Sequence, residues 1–101
     1  MSRNEDLLAR HEAAFMPTYA PQPVVMVRGE GARVWDADGN SYLDLIGGIA
    51  VSSLGHNHPA LVSAVSAQVA KIAHSSNLFV NEPEVLLAER LRGLLGGGGR
   101  G

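Results

Sequence analysis

The sequence contains no cysteine and a single lysine, Lys71. Without thiols there is no disulfide framework and no thiolate metal site, and that absence suits a cytoplasmic protein. Aromatic residues are few: Phe15, Tyr19, Trp35, Tyr42 and Phe79. A core must therefore come from Val, Leu, Ile and Ala. No apolar run approaches the ~18 residues that span a bilayer. The opening stretch, MSRNEDLLARHEAAF, carries three acids and no continuous apolar segment, so it does not read as a signal peptide. A formal net charge of −2 gives no electrostatic case for nucleic acid or an anionic membrane.

What is present is globular in character. Hydrophobic residues make up 46% of the 101 positions and charged ones 18%, well away from disorder. The length suits one domain or part of one. Ser2 to Phe15 reads as a helix, with Ser2 and Glu5 spaced as a capping box. Leu8, His11 and Phe15 share one face of it, a thin stripe that needs other structure to pack on. Pro17, Pro21 and Pro23 then impose an extended connector. Val24 to Arg28, the run from Ala32 and the run from Ser41 are β-rich. The turn signals GEG (29–31) and DADGN (36–40) separate them, giving a small antiparallel meander.

LIGGIAVSSLG (45–55) is apolar without alternation and has Gly47 and Gly48 at its centre. A buried, irregular crossing segment is the plain expectation; close approach of another backbone or a ligand to the glycines is the functional one. Leu61, Val65, Val69 and Ile72 repeat at helical spacing over 59–73, and Leu87, Leu91 and Leu94 do so over 83–95. Gly96 is a natural stop before the glycine-rich tail. The expected organisation is an N-terminal helix over 1–16, the meander and glycine-containing crossing segment over 17–55, a two-helix segment over 56–95, and a flexible tail over 96–101. No internal repeat is visible.

The chemistry-bearing residues give little by spacing alone. His56 and His58 could share a metal if their segment were a strand, but a site needs a third and usually a fourth ligand. His74 and Asp44 stand at no ligand spacing that would supply one. A turn explains both histidines better: Gly55 permits a bend, Asn57 or His58 caps the helix, and Pro59 suits its first turn. Ser52, Ser53, Ser75 and Ser76 lie in no nucleophile motif. Asp36 and Asp38 flank a glycine turn, where turn chemistry explains them. The glycine-rich stretches match neither a dinucleotide fingerprint nor a phosphate loop. HSSNLF (74–79) joins the two helices and reads as a loop whose Ser and Asn cap the next helix, with a polar pocket lining as the alternative.

Taken in order, D-x-x-G-x-x-Y-x-D from Asp36, G-H-x-H-P from Gly55, the following helix and S-N-L-F from Ser76 resemble the N-terminal region of class III aminotransferases, over residues 16 to 95 or so. The GGIAV and SNLF pieces look most like the acetylornithine-type members of that family. The resemblance implies an α+β fragment of a fold-type I transferase dependent on pyridoxal 5'-phosphate, homodimeric, with active sites at the subunit interface. It implies transfer of the amino group of N-acetylornithine to 2-oxoglutarate within arginine biosynthesis.

By the same resemblance, Gly48 and Ile49 with Gly47 match the segment lining the substrate entrance. Asn77, Leu78 and Phe79 match a loop approaching the active site near the dimer interface. The family's Schiff-base lysine, its phosphate-holding turn and its pyridinium-pairing acid have no counterpart here. The expectation is therefore an incomplete chain that is inactive alone, with no catalytic, cofactor-binding or metal residues of its own. Another class III activity, of the ornithine, succinylornithine or 4-aminobutyrate type, is one alternative. A non-catalytic dimerisation or binding module derived from such an enzyme is another.

Overall fold

The computed structural model describes residues 1–99; Arg100 and Gly101, the end of the expected tail, lie outside the described residues. The chain divides into two compact units, Met1–Ser63 and Ala64–Gly101.

The first unit opens with α1 (Arg3–Ala14). Ser2 and Glu5 form the expected capping box: the Ser2 hydroxyl accepts from the Glu5 amide at 3.1 Å, and the Glu5 carboxylate accepts from the Ser2 amide at 2.7 Å. Three strands follow, β1 (Met26–Glu30), β2 (Arg33–Asp36) and β3 (Ser41–Leu43), antiparallel and in that order. The meander is thus as expected, although β1 starts two residues later and runs through Gly29. The register of β1 on β2 shifts between Met26 and Arg28, a bulge at Val27. The cross-strand pair Arg28–Trp35 is a cation–π contact, the guanidinium carbon 3.5 Å from the ring centroid.

Little apolar surface is covered. Val34 is the buried hydrophobic residue, and beside it Asp36 is the buried polar one, 2% exposed. A polar network built on Asp36 ties the unit together. Its carboxylate accepts five hydrogen bonds: from the Asn4 and Asn40 side-chain amides at 3.0 Å each, the Asp38 and Asn40 backbone amides at 3.0 and 2.8 Å, and the Tyr42 hydroxyl at 2.8 Å. Asp38 in turn accepts from the Arg3 and Asn4 amides at the open end of α1. The Asn4 side-chain oxygen accepts from the Val25 amide. The DADGN turn is therefore both a turn and the dock for α1. On the apolar stripe of α1, Leu8 is half-buried and His11 stacks on Phe15 with centroids 4.5 Å apart.

After β3 the segment expected to be a buried crossing is a single exposed turn, α2 (Gly47–Ala50), with Ile49 85% exposed. Its hydrogen bonds close locally, Ala50 to the Ile46 carbonyl and Val51 and Ser52 to that of Gly47. The segment therefore folds on itself and adds no strand to the sheet. α3 (Pro59–Lys71) begins at the end of this unit. The second unit holds its remainder and α4 (Glu82–Leu94). Asn81 and Glu84 form a second capping box, Pro83 sits in the first turn, and Gly96 ends the helix in a left-handed conformation, φ 66°. No residue of α3 or α4 is buried.

Candidate functional site

The residues expected to face a substrate fall into two groups, one in each unit. Gly48 and Ile49 are in α2. Asn77, Leu78 and Phe79 are in the loop between α3 and α4, where the Leu78 amide donates to the Ser76 hydroxyl and the Phe79 amide to the Ser76 carbonyl, both at 3.0 Å. This tight turn leaves Leu78 and Phe79 exposed. The helix cap in this stretch is Asn81, outside SNLF, so the capping role expected of the loop belongs to its far end. Ser75 keeps a buried hydroxyl with no hydrogen-bond partner among the described residues.

Four successive residues of α2 have left-handed backbone, with φ of 56° at Gly47, 65° at Gly48, 65° at Ile49 and 59° at Ala50. Gly47 and Gly48 adopt this without penalty. Ile49 and Ala50 do not: a side chain in left-handed geometry costs about 1–2 kcal/mol per residue, and a β-branched one is rare there. Close approach was the expected reason for the glycine pair. Among the described residues, however, nothing lies within 4 Å of a Cβ built on Gly47, and at Gly48 only Ser52 and Val51 do. The pair is required by backbone handedness. Strain of this kind persists only where surrounding structure holds it.

Asp44 is bonded to the start of this turn. One carboxylate oxygen accepts from the Ile46 and Gly47 amides at 3.0 and 2.8 Å, and the other from His56 Nε2 at 2.6 Å. The Gly47 amide first, then His56 and the Ile46 amide, hold the Asp44 carboxyl below its usual range, against the opposing effect of burial. His56 is fixed in turn by a two-way backbone bridge with Gly31, at 2.9 and 2.8 Å. Gly55 must be glycine for this bridge, since a Cβ there would sit 2.8 Å from the Gly31 carbonyl oxygen.

The two histidines therefore part company. His58 is the expected turn residue: its Nδ1 accepts from the Ala60 amide at 3.2 Å at the start of α3. His56 does more than turn the chain, because its ring connects the sheet edge to Asp44. Sequence spacing had no means of pairing Asp44 with a histidine twelve residues later. Among the described residues no three His, Asp or Glu side chains converge as metal ligands.

The cofactor implied by the resemblance needs an amine, an acid for its ring nitrogen and a set of N–H groups for its phosphate. Lys71, the sequence's one amine side chain, is exposed in the last turn of α3. The ion pairs among the described residues, Arg10–Asp6, Arg28–Glu30 and His56–Asp44, do not involve it. These residues do not by themselves assemble a pyridoxal phosphate site.

The architecture, four helices and a three-stranded antiparallel sheet, is that of a segment of pyridoxal-phosphate-dependent aminotransferases. The acetylornithine aminotransferase of Elizabethkingia anophelis superposes with a TM-score of 0.89 at 33% identity over 95% of this chain and 25% of that one. The ornithine aminotransferase of Toxoplasma gondii does so at 0.87 and 33% identity, over 94% of this chain and 22% of that one. The acetylornithine aminotransferase of Streptomyces coelicolor is 58% identical over 88 residues, 87% of this chain and 22% of the relative. The family model for aminotransferase class III matches residues 14–99. The chain belongs to the class III aminotransferase family, and it spans about a quarter of the length of the relatives it matches. No helix of the described residues is long and apolar enough to cross a membrane.

Proposed function

We propose that this chain is the N-terminal part of a pyridoxal-phosphate-dependent aminotransferase that moves the amino group of N-acetylornithine to 2-oxoglutarate, and that it is inactive alone. The observation carrying this reading is the 58% identity to an acetylornithine aminotransferase over 88 residues, which make up 22% of that enzyme. The placement in arginine biosynthesis, the cytoplasm and a homodimer follows from the same likeness. A cofactor role for the complete protein is supported by the Toxoplasma gondii ornithine aminotransferase, whose structure has pyridoxal phosphate in partial occupancy at the active site.

Within that enzyme, Gly48 and Ile49 line the substrate entrance and Asn77, Leu78 and Phe79 approach the active site near the second subunit. Their exposure here leaves them free to do so. The cofactor, when bound, supplies an electron sink for the amino carbon. The residues of this chain shape the approach to it and hold no proton that moves. The meander docks α1, and the two helices present apolar faces to the rest of the enzyme.

The test is glutamate formation from N-acetylornithine and 2-oxoglutarate with added pyridoxal phosphate. The complete protein is expected to turn over, and the 101-residue chain is expected to give none. Turnover by the short chain would contradict the inactivity. A complete protein that uses ornithine and ignores N-acetylornithine would move the assignment to the ornithine branch of the family.

A further inference from the structure

We infer that Asp44 and His56 are positioning residues that hold the substrate-facing turn of the first unit in its left-handed form. The inference rests on the proposed function for the meaning of the turn, and on this structure alone for the pair.

A continuous chain of contacts runs from the sheet to the turn. Gly31, at the β1–β2 connection, is bridged both ways to the His56 backbone. The ring of His56 lies over Gly29, so close that a Cβ built there would stand 2.5 Å from the ring's Cγ. That contact sets the ring's plane and points Nε2 at Asp44. Because the Asp44 carboxylate accepts, Nε2 carries the proton and donates it into the 2.6 Å bond. Asp44 is itself anchored, its own amide donating to the Ala32 carbonyl at 2.7 Å. Its other oxygen then receives the Ile46 and Gly47 amides, the two that lead into the left-handed residues.

Strain at Ile49 and Ala50 needs such an external hold, since the local hydrogen bonds of a single turn are exposed to competition from water. Neither Asp44 nor His56 touches substrate in this reading. They act by fixing where Gly48 and Ile49 present their backbone. An error of about 1 Å in such placement can cost a hundredfold in rate or affinity.

Two kinds of measurement separate the pair from the reading it rests on. In the 101-residue chain carrying Val65→Glu and Leu91→Glu, which remove apolar surface from the exposed helices and keep the chain monomeric, the three-bond amide–Hα couplings and carbon shifts of Ile49 and Ala50 report the sign of φ. His56→Ala and Asp44→Ala are expected to remove the positive φ at both positions. His56→Gln, which keeps an N–H donor, is expected to restore it. Dispersed Val34 and Trp35 amide signals control for an intact sheet. If the alanine variants lose the sheet, Asp44→Asn decides: it keeps an oxygen for the Ile46 and Gly47 amides and is expected to hold the turn partially.

Positive φ retained at Ile49 and Ala50 in Asp44→Ala, with the sheet intact, would overturn the inference. In the complete aminotransferase, His56→Ala is expected to raise KM for the amino donor about tenfold with kcat within about twofold, and His56→Gln to recover most of it. A turn that moves with KM unchanged would support the positioning role and overturn the placement of Gly48 and Ile49 at the substrate.

Discussion

Asp36→Ala is expected to release the β2–β3 turn and the start of α1 together, with amide-exchange protection at Val25, Asp38 and Asn40 falling about tenfold or more. The reason is the number of donors that converge on one buried carboxylate. Alanine leaves the Asn4 and Asn40 side chains, two backbone amides and the Tyr42 hydroxyl without their acceptor, and five partly buried charge-assisted bonds are lost at once. Asp36→Asn is expected to rescue poorly, because it sets an amide donor against donors. Loss of protection at the Val25 amide reports the tertiary link, since that N–H donates to Asn4, while the turn is met only by the Val25 carbonyl, which accepts from Ala37.

The same carboxylate sets a pH limit. The Asn40 side chain, with Tyr42 and Asn4, holds the Asp36 carboxyl well below its usual range, although burial works the other way. The contact also raises the Tyr42 phenol above its usual value. A lowered acid stabilises the fold fully above its unfolded pKa, 3.8, and that contribution is lost as pH falls through the lowered value. A raised phenol stabilises below its unfolded pKa, 10.0, and the contribution is lost as pH rises through the raised value. Protection at Val25 is expected to be flat between those limits and to fall on the acid side, with the acid limb absent in Asp36→Ala.

The 101-residue chain alone is expected to self-associate at micromolar concentration, seen as a sedimentation coefficient that rises with concentration. Val65, Val69, Leu87 and Leu91, the centres of the two apolar stripes, are 57%, 59%, 60% and 51% exposed. Leu61, Ile72 and Leu94, in the same stripes, are exposed as well, and large open apolar faces are what soluble monomers rarely keep. A concentration-independent monomer with a sharp, cooperative thermal transition would contradict this. Charged substitution in the stripes, Val65→Glu with Leu91→Glu, is expected to restore a monomer at the same concentration.

Local features of the fold were legible in the sequence because their partners lie within a few residues. Ser2 with Glu5 and His58 before Pro59 are caps whose chemistry is set by spacing; Asn81 with Glu84 has the same spacing as Ser2 with Glu5, although the cap was expected earlier, in HSSNLF. The three strands followed from alternation and turn residues. Long-range polar pairing was not legible: Asn4 meets Asp36 thirty-two residues on, and Asp44 meets His56 twelve residues on. Neither distance matches any repeat, so only the folded backbone brings them together. The handedness of α2 was half legible. Gly47 and Gly48 signalled an unusual backbone, but Ile49 and Ala50 are residues that ordinarily refuse it. The substrate-facing role of Gly48, Ile49, Asn77, Leu78 and Phe79 came from family likeness, since periodicity alone reads them as packing or loop.

The intact mass of the native protein, taken from the cells that make it, bears most directly on whether this chain works as part of a longer enzyme. The 88 matched residues are 22% of the Streptomyces coelicolor relative, which makes that enzyme about 400 residues long. The expected result is a mass about four times the 10.6 kDa of this chain. A native species of 10.6 kDa would contradict it, and this family segment would then be working without the residues that hold the cofactor.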